Sequence, residues 1–163
     1  MKRIEKTSIV DVFESEKELT AADRALLQMA ADNARQAYAP YSAFHVGCAL
    51  VMASGEFITG SNQENMAYPS GLCAERVAVF YAGAKFPGVA IDTIAISAYS
   101  EKFEVNEPVT SCGACLQSMS EYEMRQETPI RFILRGQTGK IYIANGVSQF
   151  LPFMFKQDKL KNK

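Results

Sequence analysis

Leu72-Cys-Ala-Glu-Arg-Val-Ala78 and its later counterpart Ser111-Cys-Gly-Ala-Cys-Leu-Gln117 each place a cysteine where a polar loop gives way to helix-forming residues. The first opens a segment, residues 73–84, that reads as a helix buried on most sides. The second opens residues 112–122, also read as a helix. Free N–H groups and the macrodipole at a helix N-terminus favour anionic groups such as thiolates. Two such N-termini set side by side at one edge of a sheet bring Cys73, Cys112 and Cys115 together.

Three thiolates suit zinc, which takes four tetrahedral ligands of sulfur and nitrogen type. A closed structural site needs a fourth protein ligand, and the remaining candidates are Cys48 and His45. Cys48 sits in the apolar run Val-Gly-Cys-Ala-Leu and is expected to pack as a small hydrophobe. His45, three positions earlier on the same strand, faces the opposite side. Three ligands without a fourth match a catalytic zinc that keeps an open position for water. Glu75, two residues after Cys73, is placed to take a proton from that water and deliver it to a substrate nitrogen. Taken alone, the C-x-x-C of Cys112 and Cys115 also fits a redox pair or half of a structural zinc site. The combination with Cys73-Ala-Glu75, each motif opening a helix, favours the catalytic reading.

Outward from these helices the chain alternates. Thr20 is a candidate N-cap, with Asp23 three positions on, for a helix that Pro40 stops and whose stripe is Leu26, Met29, Ala30, Asn33 and Ala37. Residues 44–52 and 56–60 read as a hairpin about the turn Ala53-Ser-Gly-Glu56. Residues 92–98 form a short β-branched strand, 101–110 a polar loop, and 130–134 with 140–143 a second hairpin. A short strand around residues 6–13 and a short helix broken near Pro152 are expected at the two ends. The order α, β, β, α, β, α, β, β predicts an α/β chain with a mixed sheet and helices on both faces.

The chain's 163 residues predict one domain. Hydrophobic residues at 48% and charged residues at 21% exclude a disordered or fibrous chain. A net charge of −1 argues against polymeric nucleic acid as a partner. The longest apolar run, residues 77–84, falls far short of the about 20 residues of a membrane span. The start of the chain has no apolar signal core. A cytoplasmic protein with reduced thiols is therefore expected, its clustered cysteines serving metal or catalysis rather than disulfides.

The chain resembles the homotetrameric zinc-dependent cytidine deaminases, the free-nucleoside branch of that superfamily. The resemblance rests on the two cysteine motifs together with Tyr38-Ala-Pro-Tyr-Ser-Ala-Phe-His-Val-Gly47, Gly60-Ser-Asn-Gln-Glu-Asn-Met-Ala-Tyr68 and Leu151-Pro-Phe-Met-Phe155. It implies a three-layer α/β/α cytidine deaminase-like fold on a mixed five-stranded sheet. The deaminase domain would span residues 20–155, between an N-terminal extension, 1–19, and a charged tail, 156–163. It implies hydrolytic deamination of cytidine and 2′-deoxycytidine to the uridines, with release of ammonia. Cys73, Cys112 and Cys115 would bind Zn²⁺, and Glu75 would shuttle protons. Phe44 would stack near the pyrimidine, Asn62 and Glu64 would bind ribose hydroxyls, and the Ala74 backbone and Ser111 carbonyl would read the base edge. Phe155 would reach a neighbouring subunit's site in a homotetramer. Arg76 matches one of the arginines that the family places near the sulfurs.

Two departures stand out. Ser111 replaces the family's usual proline before the C-x-x-C, supplying a carbonyl without proline's rigid φ. Leu116 occupies the position of the family's second arginine, which is expected to leave the thiolates more electron-rich and to reduce activity near neutral pH. Both departures keep two alternatives open: a deaminase of a modified nucleoside or nucleoside antibiotic, and a zinc-containing nucleoside-binding homologue with weakened catalysis.

Overall fold

The computed structural model of the chain describes residues 1–156 and Leu160. Most of the predicted charged tail lies outside the described residues. The order of elements is β1 (Asp11–Phe13), α1 (Ala21–Ala34), β2 (Phe44–Met52), β3 (Phe57–Ser61), α2 (Ala74–Lys85), β4 (Ile91–Ser100), α3 (Gly113–Gln126), β5 (Arg131–Arg135) and β6 (Ile141–Asn145). Short 3-10 turns lie at Glu16–Glu18, Tyr68–Ser70 and Val147–Gln149. The strands form one sheet in the order β1-β6-β5-β4-β2-β3. β4 and β5 run parallel, and every other neighbouring pair runs antiparallel.

The sheet has six strands rather than five. The additional strand comes from the N-terminal extension: Asp11, Val12 and Phe13 pair with Ile143, Tyr142 and Ile141. Its pairing partner lies more than a hundred residues away in the chain, so local pattern does not reveal that the extension joins the sheet.

Alternation along the strands sorts the core into two layers. Cys48, Leu50 and Met52 of β2, Ile94 and Ile96 of β4, and Phe132 and Leu134 of β5 face α2 and α3. Ala49, Ala95 and Ile133 face the other way, onto Leu26, Leu27 and Ala30 of α1. The α1 side of β2 is built from small residues because the helix approaches backbone to backbone: a Cβ on Gly47 would collide with Ala30 and Ala34.

α1 starts as expected, with the Thr20 hydroxyl accepting from the Asp23 N–H at 3.1 Å. Its buried residues are Leu26, Leu27, Ala30 and Ala34, so the stripe is rotated from the predicted one. Met29 is only partly buried. The helix also stops earlier than Pro40 requires. Tyr38 leaves it to pair with the loop after β3, its N–H reaching Asn62 O at 3.0 Å and its carbonyl accepting from Glu64 N–H at 2.8 Å. Tertiary pairing here overrides helix propensity. At the other end of the chain the expected helix reduces to the turn Val147–Gln149.

Asp23 ties α1 to the sheet. Arg131 Nη1 and Nη2 donate to its two carboxylate oxygens at 2.6 and 2.9 Å. The Arg131 hydrogen bonds, against the opposing cost of burial and with help from Thr20, hold the Asp23 carboxyl below its ordinary 3.8. A depressed folded-state value stabilises the fold above the unfolded value, and that contribution is lost as pH falls through the folded one. Asp23→Asn should therefore cost roughly 1–2 kcal/mol at pH 7. Thermal denaturation at a series of pH values should show the gap from the natural protein closing below 3.8. A gap independent of pH down to strongly acidic buffer contradicts this.

Candidate active site

Cys73 is the N-cap of α2 and Cys112 the N-cap of α3. Both helices lie on the same face of the sheet and touch one another. α2 sits close to β3 because Gly60 has no side chain: a Cβ there would lie 2.6 Å from Ala74 O and 2.7 Å from Ala78 N. The approach sets the height of the α2 N-terminus over the sheet. The three sulfurs consequently meet, all within 4.8 Å of one another, with Cys73 to Cys112 at 3.9 Å and Cys112 to Cys115 at 3.5 Å. All three cysteines are free.

These spacings fit zinc. Tetrahedral zinc–sulfur bonds of about 2.3 Å place pairs of sulfurs about 3.8 Å apart. The Arg76 guanidinium lies 3.9 Å from Cys73 Sγ. Hydrogen bonding from Cys115 first, opposed by burial and aided by Arg76 and Cys112, lowers the Cys73 thiol to about 5. A thiol lowered in this way is suited to ligate a cation. Cys115, its tightly coupled neighbour, is pushed upward by sharing that hydrogen bond and by burial.

Glu75, in the first turn of α2, is only 5% exposed. Burial raises its carboxyl above the ordinary range, and the charge of Cys73 pushes the same way. Its own N–H and the side chains of Ser111 and Cys115 pull it down. A carboxyl raised by burial beside three sulfurs can hold a proton closer to neutral pH than an exposed one, which suits a group that both gives and takes. Ser111 is buried, with its side chain turned toward Glu75.

The Cys48 thiol is fully buried and raised well above its ordinary value by that burial. His45 stacks on Tyr99 at 4.6 Å and lies 3.3 Å from Glu101. Neither joins the sulfur cluster. Leu116 is 4% exposed and packs in the core beneath the cluster. An arginine introduced there would bury a guanidinium, so Leu116→Arg perturbs packing as well as charge.

A cleft of about 570 Å³ opens beside the sulfurs, lined by Asn62, Glu64, Cys73 and Arg76 among others. Two main-chain bridges assemble it. Gln63 pairs with Tyr38 on one side and with Leu72 on the other, which carries Asn62 and Glu64 up to Cys73. The Asn62 amide clamps β2, its Oδ1 accepting from Val46 N–H at 2.7 Å and its Nδ2 donating to Phe44 O at 3.0 Å. Glu64 accepts from the Tyr41 and Ser42 N–H groups and from the Ser42 hydroxyl. That hydroxyl is the main reason its carboxyl is held below the ordinary range.

Phe44, Ala74, Glu75, Ser111 and Phe155 do not line this cleft. Phe44 stacks on Phe103 at 6.2 Å, an aromatic in the polar stretch 101–110. Phe155 is 70% exposed. Tyr41 and Tyr68, in edge-to-face contact at 6.3 Å, line the cleft and went unassigned although both stand in the quoted motifs.

Residues 20–128 match the family model described as the cytidine and deoxycytidylate deaminase zinc-binding region. The chain is 43% identical to a cytidine deaminase of Halalkalibacterium halodurans over 102 residues, covering 61% of this chain and 71% of the relative. It is 32% identical to a probable cytidine deaminase of Dictyostelium discoideum over 139 residues, 80% of this chain and 82% of the other. Among solved structures, a cytidine deaminase from Burkholderia pseudomallei superposes with a TM-score of 0.70 at 34% identity, over 84% of this chain and 100% of that one.

Proposed function

The chain belongs to the cytidine and deoxycytidylate deaminase family, and from that premise and the site's geometry we propose how its residues divide the reaction. The activity is hydrolytic: water adds oxygen at C4 of cytidine, ammonia leaves, and uridine remains. The observation that carries the assignment is the meeting of three sulfurs from two helix N-termini beside a buried carboxyl. Cys73, Cys112 and Cys115 hold Zn²⁺, which supplies Lewis acidity and makes water a competent nucleophile near neutral pH.

Glu75 does the proton work. It takes one proton from the attacking water and places it on the ring N3, then carries the proton of the added hydroxyl to the departing amine. The Ala74 N–H, next to Glu75 in the chain, and the carbonyl of Ser111, whose side chain lies near Glu75, read the base edge. Phe44 supplies an apolar face for the pyrimidine. Glu64 and Asn62 bind ribose hydroxyls with the lone pairs and the N–H left over from their contacts to residues 41–46. Because the 2′ hydroxyl is one of several handles, 2′-deoxycytidine is a second substrate.

Phe155 closes a neighbouring subunit's site in a homotetramer, consistent with an exposed aromatic that its own cleft does not use. Residues 1–19 form an extension to a deaminase domain over 20–155, followed by a charged tail. No described helix is long and apolar enough to cross a membrane. The cytoplasm, where thiols stay reduced, is the compartment that suits this cysteine set.

The test is the ultraviolet absorbance of cytidine mixed with the purified protein. Absorbance should fall with release of ammonia, stop on chelation and resume when zinc is returned. Zinc-loaded protein that leaves both cytidine and 2′-deoxycytidine unchanged overturns the assignment.

A further inference from the structure

We propose that Gln117 is a positioning residue for the shared active site, holding Phe155 in the pose it offers to a neighbouring subunit. The proposal rests on the reading of Phe155 as that subunit's aromatic closure. Gln117 stands two residues after Cys115 on α3. Its Nε2 donates to Phe155 O at 2.9 Å, and its Oε1 accepts from Phe155 N–H at 3.1 Å. One planar side-chain amide thus matches both polar groups of a single backbone residue, as a neighbouring strand would. Among the described residues neither group has another partner.

The orientation of this amide is determined independently. The Ser120 hydroxyl donates to Gln117 O at 2.7 Å, so its oxygen accepts from Gln117 Nε2 at 3.2 Å. Nε2 is therefore the end that faces Ser120 and the Phe155 carbonyl, and a flipped amide would set its oxygen against two acceptors. Ser120 is fully buried.

The segment before Phe155 is anchored by packing: Phe150, Leu151 and Met154 lie against the core. On either side of Met154 the rings turn outward, with Phe153 at 67% and Phe155 at 70% exposure. Packing therefore fixes the chain only up to Met154, and Gln117 fixes the last step. The helix that carries two of the three sulfurs of one subunit also carries the clamp for the aromatic given to another. A solvent-exposed hydrogen-bonded pair of this kind adds little to net stability, because water replaces it when lost. Its effect lies in orientation, where a displaced group costs binding.

The experiment is steady-state kinetics of the zinc enzyme on cytidine, with zinc content measured for every variant. Phe155→Ala should raise KM about tenfold, the scale of losing a base–aromatic contact. Gln117→Ala should raise KM about three- to tenfold with kcat within about twofold. Gln117→Met, which keeps length and apolar contact, should behave the same way. The double variant Gln117→Ala, Phe155→Ala should be no worse than Phe155→Ala alone, because the clamp acts through the ring. Multiplied effects in the double variant, a fall in kcat at constant KM, or loss of zinc from the Gln117 variants would each overturn the assignment. A raised KM in Phe155→Ala with an unchanged KM in both Gln117 variants overturns it alone. An unchanged KM in Phe155→Ala sinks the reading of the aromatic closure, and the role of Gln117 falls with it.

Discussion

Glu75→Gln should lower kcat on cytidine by about 10²–10⁴-fold, the scale of a lost general acid and base, while zinc stays stoichiometric. The change is nearly isosteric, and the site is buried at 5% exposure, so packing is retained. The neutral amide also removes the charge that burial disfavours, and folding stability should not fall. An amide still donates and accepts hydrogen bonds, so substrate can still bind. What it cannot do is gain or release a proton at neutral pH. Metal analysis beside turnover and equilibrium nucleoside binding separates these effects. Turnover equal to that of the natural protein would assign the proton transfers elsewhere. Loss of zinc together with activity would make Glu75 a support of the metal site rather than the proton shuttle.

Cys73→Ala should weaken zinc binding more than about a hundredfold, beyond the 10–100-fold typical of outer supports of a metal site, and abolish turnover. Cys73 is a cleaner ligand to remove than Cys115. It is the N-cap of α2 but makes no side-chain cap hydrogen bond, so alanine deletes no helix cap. It is only half-buried, whereas Cys115 is fully buried and would leave a void. The metal-free forms of the natural protein and the variant should therefore melt within a few degrees of each other. Their zinc-loaded forms should differ widely, because a ligand that binds only the folded state stabilises it. Retention of stoichiometric zinc after exhaustive dialysis would remove Cys73 from the ligand set.

The parts of this molecule legible in its sequence are those governed by short-range chemistry. Thr20 and Asp23 mark the start of α1 because a cap is decided within three residues. Cys73 and Cys112 mark helix starts because a polar loop there gives way to helix-forming residues, and the outcome is the sulfur cluster. The parts that were not legible depend on partners distant in the chain. The short strand at Asp11–Phe13 is legible but its place beside β6 is not, and Tyr38 leaves its helix only because the loop at Gln63 is there to receive it. Leu116, read as a missing positive charge at the metal, is a core residue, since its direction is set by the face that α3 turns to the sheet. Phe103 stands in no motif and Gln117 only ends one, and each gains a role from the neighbour it touches, Phe44 or Phe155.

The N-terminal strand has a consequence unrelated to nucleosides. Without β1, the outer side of β6 would present the bare edge Ile-Tyr-Ile-Ala-Asn, a row of unpaired backbone groups on an apolar strand. Such an edge is a template for pairing with another chain. β1 covers it with three residues led by Asp11, and Lys140 beside β6 pairs with Glu14 just beyond β1. Residues 1–19 lie outside the stretch that matches the family model. Removing residues 1–19 alone would leave the catalytic groups in place while exposing an edge prone to aggregation.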